Sequence, residues 1–128
     1  MKSKKFSPMV LFVVFLFVPG FGVADEVYRL RMFFGLSLPG GGAVSLNEWQ
    51  EFEREKIAKT FEGFNVVDST GYYKGKPERS KIVTVIVDEN GIEKAHELAR
   101  LYAKEFQQDS VMVVKAAVLE WNFIGAGK

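Results

Sequence analysis

The stretch Val27–Leu38, VYRLRMFFGLSL, decides the fold. Its even positions, Tyr28, Leu30, Met32, Phe34, Leu36 and Leu38, are all apolar, while the odd ones are Val27, Arg29, Arg31, Phe33, Gly35 and Ser37. Successive side chains of a strand point to opposite faces of its sheet, so a period of two predicts a strand with one face in a core. The second face mixes an aromatic ring with two arginines. On a central strand such a face is where a ligand or a partner sits.

Toward the N-terminus, Lys2, Lys4 and Lys5 precede an unbroken apolar run, Met9–Val18, which is followed by Pro19-Gly20 and the small residues Gly22-Val23-Ala24. A basic start, an apolar centre, a breaker and a small-residue end form the order of a secretory signal peptide. An uncleaved anchor would need ~20 apolar residues to span a bilayer. The expectation is therefore a cleaved leader, residues 1–24, and a single α+β domain, residues 25–128. The mature chain is expected to be exported, periplasmic or secreted, with no membrane attachment after cleavage.

Hydrophobic residues make up 48% of the chain and charged residues 26%, a globular balance. The leader holds three of the 17 basic residues, which leaves 14 against 16 acidic ones, a net charge of −2. That argues against a nucleic-acid partner, whose phosphates call for a clustered basic excess. With no cysteine there is no disulfide framework, thiolate nucleophile or Cys-ligated metal. His96 is the one histidine. Without a second histidine or a cysteine, catalytic triads and the usual zinc sites are disfavoured, and neither a metal nor a cofactor is expected.

Toward the C-terminus, Pro39-Gly40-Gly41-Gly42 breaks the strand, and Ser45-Leu46-Asn47-Glu48 reads as a capping box. The helix that follows, to about Lys59, gathers Leu46, Trp49, Phe52, Ile57 and Phe61 on one half of its wheel. Gly63 ends it. Phe64–Tyr73 reads as a weaker strand with a bulge at Gly71, and Gly75-Lys76-Pro77 as a turn. Ser80–Val87 is β-branched almost throughout, which suits a central strand buried on both faces. Asp88-Glu89-Asn90-Gly91 opens a second helix with the stripe Ile92, Ala95, Ala99, Tyr102, Ala103 and Phe106. A last strand runs from Ser110 toward Phe123, kinked near Ala116-Ala117, and Gly125–Lys128 forms a frayed tail. The order β-α-β-β-α-β predicts a ferredoxin-like sandwich: one antiparallel four-stranded sheet with two helices on one face.

Helices on one face leave the other open. It would display Arg29, Arg31, Phe33 and Ser37 from the first strand, with Ile82, Thr84 and Ile86 from the third. An apolar, partly basic surface of that kind implies a homodimer interface or a small-molecule cleft. The competing reading has the C-terminal segment, with Trp121 and Phe123, folding over it. The hairpin supplies a second cluster: Tyr72, Tyr73, Lys74, Lys76, Glu78, Arg79, Ser80 and Lys81. Glu78 is its one carboxylate and is expected to pair with Arg29 or Arg31, with acid/base work as the less favoured role. Tyr72 and Tyr73 are half-buried strand aromatics by default and stacking groups for a ligand otherwise. His96 falls at the edge of the second helix's apolar stripe and reads as a packing or surface residue, a weak candidate base. Gly40–Gly42 lacks the Lys-Ser/Thr of a P-loop and reads as a flexible linker.

Phe34-Gly35-Leu36-Ser37-Leu38-Pro39, Val44-Ser45, Glu48-Trp49, Phe52, Gly63, Gly71 and Glu78-x-Ser80-Lys81 together resemble a family of small exported bacterial proteins known only as a domain of unknown function. The likeness covers about Tyr28 to Phe123. Members often carry a tryptophan where this chain has Tyr73, and many carry a lipoprotein cysteine, absent here, so the resemblance implies a soluble exported form. It implies no activity. Two functions stay in view: a non-enzymatic module that dimerises or binds a small molecule through the open face, and an enzyme of the dimeric α/β-barrel type working through Glu78, Tyr73, Arg31 or His96.

Overall fold

The structure, a computed structural model, describes residues 26–127; the expected leader lies outside them. Strand β1 spans Tyr28–Gly35. Helix α1 begins as an α-helix at Leu46–Phe52, passes through a π-helical stretch, Glu53–Ile57, and closes with an α turn, Ala58–Thr60. Strand β2 spans Asn65–Tyr73, β3 Lys76–Val87, helix α2 Glu89–Glu105 and β4 Met112–Ala117. The sheet order is β2-β3-β1-β4, with every neighbouring pair antiparallel. This is the ferredoxin-like arrangement that the element order predicts, with β1 and β3 at the centre.

The period of two in β1 sets the layers. Leu30, Met32 and Phe34 are fully buried, and Val83, Val85 and Val87 of β3 lie beside them. Against this face pack Trp49, Phe52 and Ile57 from α1, and Ile92, Ala95, Leu98 and Tyr102 from α2, followed by Phe106. Phe34 is the hub of an aromatic cluster, its ring centroid 4.8 Å from Tyr102, 5.5 Å from Trp49 and 5.9 Å from Phe52. These tilted and edge-on contacts suit the ring quadrupoles, and burying one such side chain stabilises the fold by about 1.5–3 kcal/mol.

Local chemistry fixes the helix starts. The Ser45 hydroxyl accepts from the Glu48 N–H at 3.1 Å, and the Glu48 carboxylate accepts from the Ser45 N–H at 2.9 Å. The capping box is thus complete in both directions. Asp88 caps α2 by accepting from the Gly91 N–H at 2.9 Å. The π-helical stretch answers a spacing problem, because Phe52 and Ile57 are five residues apart and an uninterrupted α-helix would turn them about 140° from one another. Widening the turn brings both into the core, while Leu46, expected on the apolar side, stands 63% exposed at the helix start.

Several boundaries differ from expectation for identifiable reasons. β1 ends at Gly35, and the glycine segment is a hydrogen-bonded turn instead of a loose linker. Leu38 N–H donates to Gly42 O at 3.1 Å, Gly41 N–H to Leu38 O at 3.0 Å and Val44 N–H to Leu36 O at 2.8 Å. Gly41 and Gly42 sit at φ of 102° and 83°, where a side chain would be strained. Gly71 forms no bulge: β2 pairs one-to-one with β3 from Asn65↔Thr84 to Tyr73↔Lys76. The turn is Lys74-Gly75, with φ of 52° and 80°, the doubly positive geometry that matches strand twist in two-residue hairpins. β3 therefore starts at Lys76. Pro77 is tolerated there because β1 pairs with β3 only from Ser80 onward, so this end of β3 is locally an edge. Burial of β3 on both faces holds at Ile82 and Val83 and is lost at Ile86. β4 stops at Ala117 and does not continue toward Phe123, which is 93% exposed, while Trp121 in the same segment is 49% exposed.

Among the described residues, no helix is long and apolar enough to cross a membrane.

Candidate functional site at the end of the open sheet face

Cross-strand partners share a face, so the pairing register lays out the open side row by row. One row is Val67, Ile82, Phe33 and Met112. The next is Asn65, Thr84, Arg31 and Val114, and beyond it come Ile86, Arg29 and Ala116. In the other direction the rows are Ser69, Ser80 and Gly35, then Gly71 and Glu78, then Tyr73 and Lys76. The first row is apolar and exposed at its edge strands, with Val67 53% and Met112 57% exposed, while Ile82 between them is only 6% exposed. The Arg31 guanidinium lies over the Phe33 ring, 5.3 Å from its centroid, and so shields the ring on one side.

The face runs into a cavity of about 710 Å³ where β1 ends. It is lined by Phe33, Gly35, Gly71, Tyr72, Tyr73, Glu78, Ser80 and Met112 from the strands and by Gln108, Asp109 and Ser110 from the α2–β4 loop. Gly35 is at its floor. A Cβ on Gly35 would fall 2.8 Å from Glu78 Oε2 and 3.1 Å from Gln108 Oε1, so both oxygens occupy space that only glycine leaves vacant. The Gln108 amide cannot turn freely, because its Nε2 donates to the carbonyls of Ser37, at 2.8 Å, and Phe106, at 3.0 Å. Both amide protons are thereby used, and Oε1 is the atom left facing the cavity. The loop reaches this position through Gln107, whose φ is 54°.

Beneath Gly35, on the covered face, the Tyr102 hydroxyl donates to the Gly35 carbonyl at 2.7 Å. Burial pushes the Tyr102 phenol far above its ordinary pKa, and the carboxylates of Glu105, Glu48 and Glu78 add to the shift. Tyr102 is therefore a neutral donor at any physiological pH. It ties the cavity floor to the aromatic core.

Of the seven candidate site residues, four line this cavity, Phe33, Tyr72, Tyr73 and Glu78, and both tyrosines are 73% exposed instead of half-buried as expected. The other three lie elsewhere. Glu78 makes no ion pair with Arg29 or Arg31, because Arg31 stands opposite Thr84 and Arg29 opposite Ile86. Six or more strand residues separate those rows from Glu78, about 20 Å or more. His96 is on α2, half-buried in a separate groove of about 400 Å³ with Ala99, Arg100, Ala103, Asp109, Ser110, Val111 and Val113. Gln108, Asp109 and Ser110 escaped the sequence reading because a short polar loop carries no periodic signal. Gly35 did leave one, since a glycine inside an alternating strand marks close approach by other groups. Among the described residues, no group of three or more His, Asp and Glu side chains is placed to hold a metal ion.

The chain is similar to several solved structures. A phage SAM lyase in complex with S-methyl-5'-thioadenosine superposes with a TM-score of 0.57 at 17% identity, covering 73% of this chain and 83% of that one. The phage SAM lyase in its apo state gives 0.49 at 15%, covering 78% and 96%. The de novo designed protein Foldit4 gives 0.42 at 16%, covering 73% and 97%. Identities this low speak to the architecture alone. No curated protein matches the chain. The sequence itself places it: over residues 29–121 it matches the family described as protein of unknown function (DUF3574), and the chain belongs to that family.

Proposed function

We propose that this protein is an exported, non-enzymatic binding module that works through its open sheet face, with the cavity around Gly35 and Glu78 as its small-molecule site. One observation carries the reading: the apolar row Val67, Ile82, Phe33 and Met112, exposed at its two edge strands, leads into a cavity lined by aromatic rings, the Glu78 carboxylate and the held Gln108 amide. Apolar walls with a few oriented polar atoms are what small-molecule sites need, because the walls supply affinity and the polar atoms supply selection. Export follows from the leader-like residues 1–24. The exposed side chains Val67, Ile86, Met112 and Val114 extend the site toward a second copy of the chain, since a patch of this kind on an exported protein gains stability by being covered.

Glu78 and Tyr73 line one cavity, and this is the observation that favours an enzymatic alternative. A second copy closing over the cavity would exclude water and leave Glu78 to move a proton, as in dimeric α/β barrels. The phage lyase supplies a defined ligand to try, S-methyl-5'-thioadenosine.

Native mass spectrometry of the protein purified from the compartment to which it is exported tests the proposal. A dimer mass, or a small molecule retained on the chain, is the expected result. A bare monomer, together with no small molecule in a fragment titration that moves the NMR signals of Phe33, Gly35 or Met112, would overturn it. Turnover of S-methyl-5'-thioadenosine or a relative, abolished by Glu78→Gln, would favour the enzyme instead.

A further inference from the structure

We infer that the cavity selects a small organic cation, an amidinium or primary ammonium carried on an apolar or aromatic body; this rests on the binding-module reading above. The argument starts at one point in space. Glu78 Oε2 and Gln108 Oε1 lie 2.8 and 3.1 Å from the position that a Gly35 side chain would take, so a carboxylate oxygen and an amide oxygen converge above the same backbone atom. An ionised carboxylate only accepts hydrogen bonds. The Gln108 oxygen likewise only accepts, and its orientation is held by the two bonds that its own nitrogen makes to Ser37 and Phe106.

Two acceptors facing one site call for a ligand with N–H donors. The negative charge on Glu78 calls for a positive one, because charge-assisted bonds of this type are roughly twice as strong as neutral ones. The rest of the lining agrees. Asp109, at the border with the His96 groove, adds a second carboxylate, and among the described residues no lysine or arginine lines the cavity. Phe33, Tyr72, Tyr73 and Met112 offer rings and a thioether to an apolar body. The Lys74 ammonium already stands over the Tyr73 ring, 5.3 Å from its centroid, so the ligand's cation goes to the Glu78–Gln108 pair and its body to the remaining surfaces. An anion at the Glu78–Gln108 pair would meet a carboxylate and an amide oxygen and is disfavoured there.

Three probes of one shape separate the possibilities: benzamidine, benzamide and benzoate, titrated into the purified exported protein at low ionic strength and followed by NMR. Benzamidine is expected to bind at least tenfold more tightly than either of the others, moving the signals of Gly35, Gln108 and Phe33. Glu78→Gln is expected to weaken it by tenfold or more. Gly35→Ala is expected to do the same, because its methyl group would push the Glu78 carboxylate aside and press on the held Gln108 amide oxygen. Benzoate or benzamide binding at these signals as tightly as benzamidine would overturn the cation assignment while leaving the site in place. So would benzamidine affinity unchanged in Glu78→Gln. No response to any of the three would overturn the site itself.

Discussion

The two faces of the central strand do different work with alternating residues. Leu30, Met32 and Phe34 point into the helices and are fully buried, whereas Arg31 and Phe33, each one residue away, look out over an uncovered sheet. On the covered side the apolar surface is spent on cohesion: three aromatic rings, Trp49, Phe52 and Phe106, pack around Phe34 and Tyr102, and no buried polar side-chain atom is left without a partner among the described residues. On the open side, Val67, Met112 and Val114 remain exposed, and the oxygens of Glu78 and Gln108 pack together over Gly35. The covered face holds the fold together, and the open face is the one on which the binding proposal rests. Gly35 joins them, with Tyr102 bonded below it and Glu78 resting above.

Substitutions on the two faces should separate stability from binding. Phe34→Ala removes the hub of the aromatic cluster and should cost about 3–5 kcal/mol in urea unfolding, enough to populate the unfolded chain. Tyr102→Phe keeps the ring but strips the Gly35 carbonyl of its donor. A loss of about 1–3 kcal/mol is expected, together with weaker ligand binding because the cavity floor is released. Ser45→Ala, which unseats the start of α1 while touching neither face, should cost about 1 kcal/mol by thermal melting. On the open side, Val67→Ser and Met112→Ser should each change stability by less than about 0.5 kcal/mol while abolishing self-association in sedimentation velocity. A large destabilisation there would mean that the face is covered in the monomer and would erase the contrast between the two sides.

The smallest effect is electrostatic. Asp68 pairs across the sheet with Lys81, and this hydrogen bond and charge hold the Asp68 carboxyl below its ordinary pKa. A carboxylate whose folded pKa is depressed adds stability above its ordinary value and loses it as pH falls through the depressed one. Unfolding midpoints measured from neutral pH downward should fall through that acidic window in the natural protein. The limb should be shallower in Asp68→Asn.

Much of this was legible along the chain. The alternation in β1 foretold its two faces, Ser45 and Glu48 foretold a helix start to the residue, and the element order foretold the sheet topology. Each is a local or periodic property, readable because side-chain direction follows from backbone geometry within a few residues. The misreadings fell where non-local pairing decides. The hairpin turn lies at Lys74-Gly75, the first helix widens to seat Ile57, and the register places Arg29 and Arg31 three or more rows from Glu78.

From the sequence by itself came the family likeness, the two-faced strand and a short list of residues that included Tyr72, Tyr73 and Glu78. The tertiary structure alone decided that Glu78 meets Gln108 over Gly35. Those three residues belong to β3, a loop and β1, dozens of positions apart in the chain. Strand register and the αL geometry of Gln107 bring them to one point, and neither leaves a periodic trace in the residues themselves.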